Sequence, residues 1–143
     1  MLGPGDMETK LGWYIKDRVI YHRPVGDQPI DVVQRNNDLV IKFLDKGEAP
    51  IHIIVDARYA TKLPTSLLKL SNAASFLSHP SLGWLTTISN NPVITFIAGI
   101  IPQISSWQLY RVFSDVETGI TFLKEQDPTI DWASADNQLI EDP

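Results

Sequence analysis

Hydrophobic and polar positions change period several times along the chain, and each change marks an element. Leu11–Ile15 and Val19–His22 are strand-like runs parted by the short polar link Lys16-Asp17-Arg18, the pattern of a β-hairpin. Pro24-Val25-Gly26-Asp27 closes that unit. From Ile30 the apolar residues Val32, Val33, Leu39, Val40, Phe43 and Leu44 recur at spacings of three and four, one stripe of a helix. Asp27 or Asp31 is placed to cap its start, and Gly47 its end. Ile51–Val55 is then apolar except for His52, as a central strand covered on both faces requires.

The strand ends at Asp56, and a polar connection follows. Pro64 suits the first turn of a helix, where its missing N–H costs nothing. Leu67, Leu68, Leu70, Ala74 and Leu77 supply that helix's inner side, and it stops before Pro80. Leu82–Ile88 reads as a strand, Asn90-Asn91-Pro92 restarts the chain, and Val93–Gln103 reads as a helix. Trp107–Phe113 alternates like a strand. Ser114 and Glu117 form a capping-box pair for a helix that turns Val116, Ile120, Phe122 and Leu123 inward and stops at Asp127-Pro128. The order β-β-α-β-α-β-α-β-α predicts an α/β fold with a mixed, mostly parallel sheet and helices packed against it. Residues 1–10, rich in Gly, Pro and charge, read as a flexible leader, 11–127 as one domain, and 128–143 as an acidic C-terminal tail.

Composition narrows the function classes. The 143 residues, 43% hydrophobic and 20% charged, suit one globular domain with a core that needs no staples. A net charge of −5 lacks the basic footprint of a general nucleic-acid binder. With no cysteine there is no disulfide, no thiolate nucleophile and no sulfur-ligated zinc, and a reducing cytoplasm is the expected compartment. The N-terminus has no apolar signal core, and the longest apolar run, Val93–Ile101, is about half of what a membrane-spanning helix needs. The three histidines show no metal-ligand spacing, and no phosphate-cradling glycine motif or nucleophile elbow is present, so neither metal, cofactor nor catalytic residue is expected.

Several segments in order carry a family resemblance: Trp13–His22; Ile51-His52-Ile53-Ile54-Val55-Asp56-Ala57-Arg58; His79-Pro80-Ser81-Leu82-Gly83-Trp84; and Arg111–Ser114 ahead of Glu117 and Phe122-Leu123. Together they span roughly Leu11 to Gln126. This order resembles the STAS domain, the fold of bacterial anti-sigma-factor antagonists, and especially its divergent relatives. The resemblance implies a non-enzymatic regulatory module with protein partners. In that family an acid ends the third strand, and a later helix opens on an Asp-Ser-Ser-Gly type motif whose hydroxyl a partner kinase phosphorylates. Counted from Asp56, Thr65 and Ser66 fall at the paired hydroxyls, with Pro64 in place of the family's Asp and Leu67 in place of its Gly.

Thr65, Ser66, Asp56 and Arg58 are therefore the candidate phosphate or anion site, since a helix N-terminus tolerates a phosphate. The structural alternative is that Thr65 or Ser66 caps its helix, that Asp56 caps a turn or pairs with Arg58, and that His52 satisfies a local bond. His52 and Asp56 share a strand face about 13 Å apart, too far to touch. The helix from Val93 is apolar almost all round, whereas a helix on a sheet buries one stripe. Ile94, Ile97, Ile101, Ile104 and Trp107 are the expected interaction surface, for a second copy of the chain in a homodimer or for another protein. Other covers are an apolar or lipid-like small molecule held against the leucine-rich helix, or the acidic tail folding back through Trp132 and Leu139-Ile140. An enzyme using His52, Asp56 and Arg58 ranks last.

Overall fold

In the computed structural model, which describes residues 8–143, β1 (Lys10–Ile15) and β2 (Val19–Arg23) form the expected antiparallel hairpin. A two-residue strand β3 (Gly26–Asp27) leads to α1 (Ile30–Lys46), then β4 (Ile51–Asp56), a 3-10 turn at Ala57–Tyr59 and a short β5 (Ala60–Lys62). Next come α2 (Leu67–Asn72), a 3-10 turn at Ser75–Ser78, β6 (Leu82–Ile88), α3 (Pro92–Ile104), β7 (Tyr110–Phe113) and α4 (Val116–Gln126). The main sheet runs β1-β2-β4-β6-β7, parallel after its first pair. The predicted α/β class with a mixed, mostly parallel sheet is that of the molecule, and the short β3 and β5, paired in a second two-stranded sheet, are additions to the predicted order. Most of the predicted leader, residues 1–7, lies outside the described residues, and Lys10 already belongs to β1.

Strand alternation divides the core into two layers. Ile20, Ile51, Ile53 and Leu85 face α1, α2 and α3 and pack with Val40, Leu44, Leu70 and Ile101. Val19, Tyr21, Ile54 and Ile88 face the opposite way, against Ile120 and Leu123 of α4. Each such side chain, fully buried, contributes about 1.5–3 kcal/mol of transfer free energy. Residues 128–143, read from sequence as an acidic tail, lie along this second layer: Trp132, Leu139 and Ile140 pack on it, and Asp136 N donates to Tyr14 O at 2.8 Å. They do not cover α3.

Several local expectations shift. α1 starts after Pro29 with no side-chain cap, because Asp27 instead accepts a bond from the Thr61 hydroxyl at 2.7 Å. Gly47 ends α1 in an extended conformation, not a left-handed one. Crowding explains the glycine: a Cβ there would lie 2.7 Å from Asp17 O and 2.8 Å from the Trp13 ring. α2 begins at Leu67, not Pro64, and Leu68 points to solvent, because the helix has too few turns to bury consecutive leucines. β7 begins only at Tyr110, since Trp107 N still bonds back to Pro102 O and closes the end of α3. α4 is capped by Asp115, one residue after the predicted Ser114, through a bond from Thr118 N.

Candidate functional site

Strands β2 and β4 are parallel, with Tyr21 level with Ile54, so alternation brings Tyr21, Arg23 and Asp56 to one face at their carboxyl ends. Asp56 is fully buried. Its carboxylate accepts from the Tyr21 hydroxyl at 2.7 Å and from Arg58 Nε and Nη2 at 2.8 Å each, a bidentate pair. It also takes Arg58 N at 3.3 Å and so shapes the 3-10 turn. Burial, then the bond to Asp56, pushes the Tyr21 hydroxyl far above its ordinary value, and the bonds that the Arg58 guanidinium donates to Asp56 do the same for Arg58. Asp142 joins from the chain's far end, accepting from Arg58 Nη2 at 2.7 Å and from the Tyr59 hydroxyl at 2.9 Å. Arg23, buried beside them, donates to Glu141 O and Glu8 O and stacks on the Tyr59 ring at 5.4 Å. Asp56 and Arg58 thus do what the structural alternative described. Both oxygens of the carboxylate are engaged.

Thr65 and Ser66 lie elsewhere. They line an open cleft of about 410 Å3 with Asp27, Lys62 and Lys69, and neither Asp56 nor Arg58 lines it. Ser66 caps α2, its hydroxyl accepting from Lys69 N at 3.2 Å. The four residues grouped from sequence therefore occupy two places, because the Ala57–Tyr59 turn and the β3–β5 pairing carry the chain away from the strand end.

His52, on the α4 face, is fixed by two bonds. Trp84 N donates to Nδ1 at 2.9 Å, so the ring proton sits on Nε2, which donates to Asp127 at 3.0 Å. Burial lowers the imidazole's pKa despite that carboxylate, and the ring is neutral at pH 7. Burial pushes the Asp127 carboxyl up, but bonds from Thr129 and His52, with the charge of Arg18, outweigh it and hold the group below its ordinary value. His52 and Asp56 have separate partners and do not converge. Among the described residues no group of three or more His, Asp or Glu gathers to hold a metal.

α3 splits the predicted interaction surface. Ile94 and Ile101 turn inward into the core, and Ile97 packs against it with Trp107, because the sheet and α2 cover that side. The outward stripe is Val93, Phe96 and Ile104, 66%, 61% and 49% exposed, with Leu109 just beyond. Beside the helix lies an apolar pocket of about 200 Å3, half open to solvent and lined by α1, α2, α3 and the sheet, with His22 of β2 among its lining residues. Sequence reasoning missed Tyr21, Arg23, Tyr59, Asp127, Asp142 and His22. The polar Tyr21-His22-Arg23 end of an otherwise apolar strand was the available signal.

No protein-family model matches the chain. No curated protein matches it either. Solved structures do. A protein of the DUF3478 family with a SpoIIAA-like fold, from Shewanella loihica, superposes with a TM-score of 0.59 at 10% identity, covering 81% of this chain and 92% of that one. The anti-sigma factor antagonist SpoIIAA in its unphosphorylated form superposes with a TM-score of 0.51 at 10% identity, covering 82% of this chain and 98% of that one. The chain therefore has a SpoIIAA-like fold. No described helix is long and apolar enough to cross a membrane.

Proposed function

We propose that this chain is a non-enzymatic cytoplasmic regulatory module that docks onto a protein partner, with a second copy of itself as the simplest one. The carrying observation is the outward stripe of Val93, Phe96 and Ile104 on α3, apolar side chains that nothing in the protomer covers. The cleft at Thr65 and Ser66, flanked by Lys62 and Lys69, is the point where a phosphate or other anion would tune that docking. Light scattering across protein concentration tests self-docking. Wild type should dimerise, and Phe96→Asp should stay monomeric while keeping its fold. A monomeric wild type at every concentration removes the second copy as partner. A Thr65→Glu, Ser66→Glu double variant should alter partner affinity without unfolding the domain, and unchanged affinity removes the switch.

A second reading is favoured by a separate observation. The apolar pocket beside α3 supports a carrier of a small apolar ligand, with α3 as one wall. Native mass spectrometry of the purified protein should then show bound apolar material.

A further inference from the structure

Two neighbouring spaces share a wall. The apolar pocket is lined by Ile53 and Leu85 of the sheet, Leu70 of α2 and Ile94 and Ile101 of α3, and no Asp, Glu, Lys or Arg is among its lining residues. The cleft of about 410 Å3 is polar by contrast, with Lys62, Thr65, Ser66 and Lys69 along it. Gln28 and Leu63 line both, so the two spaces abut there. The chain joins them twice more. Lys62 precedes Leu63 and Lys69 precedes Leu70, so each lysine of the cleft is the immediate neighbour of a residue of the apolar lining. Both lysines are exposed. The ion pairs among the described residues use Arg18, His52, Arg58 and His79 and leave both ammonium groups unpaired. Asp27 is the one acid on the cleft's lining, and its carboxylate already accepts from the Thr61 hydroxyl at 2.7 Å.

We propose that the pocket and the cleft are two ends of one site for a single-chain amphiphile, its tail in the apolar pocket and its anionic head, a carboxylate or phosphate, at Lys62 and Lys69. Each methylene that leaves water for the pocket strengthens binding by up to about fourfold. The head does not follow the tail, because an ion among those apolar side chains sheds its hydration without a counter-ion. Lys62 and Lys69, one residue outside the apolar lining, supply the counter-charge where solvent still reaches it. An ammonium on a flexible four-carbon stem serves either head as a point charge. Volume sets the tail. A cavity of about 150 Å3 holds benzene, so about 200 Å3 takes roughly eight carbons, a medium-length chain. The proposal rests on the carrier reading and adds the charge of the ligand's head and the residues that meet it.

The test titrates the full chain by calorimetry with decanoate, decyl phosphate and 1-decanol, each below its micelle concentration. At low salt at least one anion should bind about tenfold tighter than the alcohol, and the tighter of the two identifies the head. The advantage should shrink at about 0.5 M sodium chloride, while the alcohol's affinity does not fall. In the double variant Lys62→Gln, Lys69→Gln, both at exposed positions, the anions should fall to the alcohol's affinity and the alcohol should bind as before. In methyl NMR spectra of the wild type the tighter anion should move the Leu70 and Ile101 resonances. Anions that bind no tighter than the alcohol overturn the head site and leave the carrier reading standing. An anion advantage that survives the double variant overturns the part given to the two lysines. Anion binding that leaves those methyl groups unmoved overturns the joining of pocket and cleft. Binding of none of the three, to folded protein, overturns both the proposal and the carrier reading.

Discussion

Acidification from about pH 7 to about pH 5 should weaken the fold through His22. Burial holds this imidazole at about 4, against an ordinary 6.5. No charged side chain shares the pocket lining to offset the shift. Between those two values the unfolded chain takes up a proton that the folded chain refuses. Stability therefore rises with pH through the window and is complete only above about 6.5. At about 1.4 kcal/mol per unit, the whole gap corresponds to about 3 kcal/mol, of which about 2 kcal/mol is lost by pH 5. That is a large share of the stability of an ordinary domain. Urea unfolding of wild type and His22→Leu at both pH values measures it. His52 titrates in the same direction, since burial lowers its pKa too, but it is present in both proteins and cancels. Wild type should lose about 2 kcal/mol more than the variant between the two pH values. Equal losses would show that His22 is not held neutral by burial, and the reasoning fails.

Three further outcomes follow from local geometry. Asp56→Ala strips the partner from the buried Tyr21 hydroxyl and the Arg58 guanidinium and should cost about 3–5 kcal/mol in urea unfolding; Asp56→Ala with Arg58→Ala should recover part of it. Gly83→Ala would place a Cβ 2.5 Å from His52 Nδ1, so it should cost about 1–3 kcal/mol and disturb the His52 Nε2–H signal in NMR spectra. Asp115→Ala removes the cap of α4 and should cost about 1 kcal/mol, whereas Ser114→Ala should stay within about 0.5 kcal/mol; the reverse order in thermal melts would restore the Ser114 cap.

The main sheet and two of the long helices were legible from the spacing of their apolar residues. Ile51–Val55 read as a buried strand from its apolar run broken only by His52, Leu82–Ile88 read as a further strand, and α1 and α4 showed a helical stripe. What was not legible is what tertiary contact decides. β3 and β5 are two and three residues long and exist only because they pair with each other. α2 was drawn too long because Leu67 and Leu68 look alike in sequence, while only the first meets the core. In α3 all-round apolarity showed that one side was in excess but not which residues lie on it. The inner set turned out to be Ile94 and Ile101. The Asp56 network hid for a different reason. Its members come from β2, β4, the turn after β4 and the end of the chain, and no local spacing links Arg58 to Asp142.

The last stretch of chain also bears on how the molecule is assembled over time. Lys10 Nζ bonds to Leu139 O, and the Tyr14 hydroxyl to Asn137, across separations of 129 and 123 residues. A polypeptide emerging from the ribosome makes its opening hairpin early, yet the partners for that hairpin's outer side come more than a hundred residues later. Loops of that length are slow to close, and an oily β-surface left waiting invites association with other nascent chains. Refolding should accordingly end with the docking of residues 136–142, and a chaperone that shields β1 and β2 during synthesis would raise the yield.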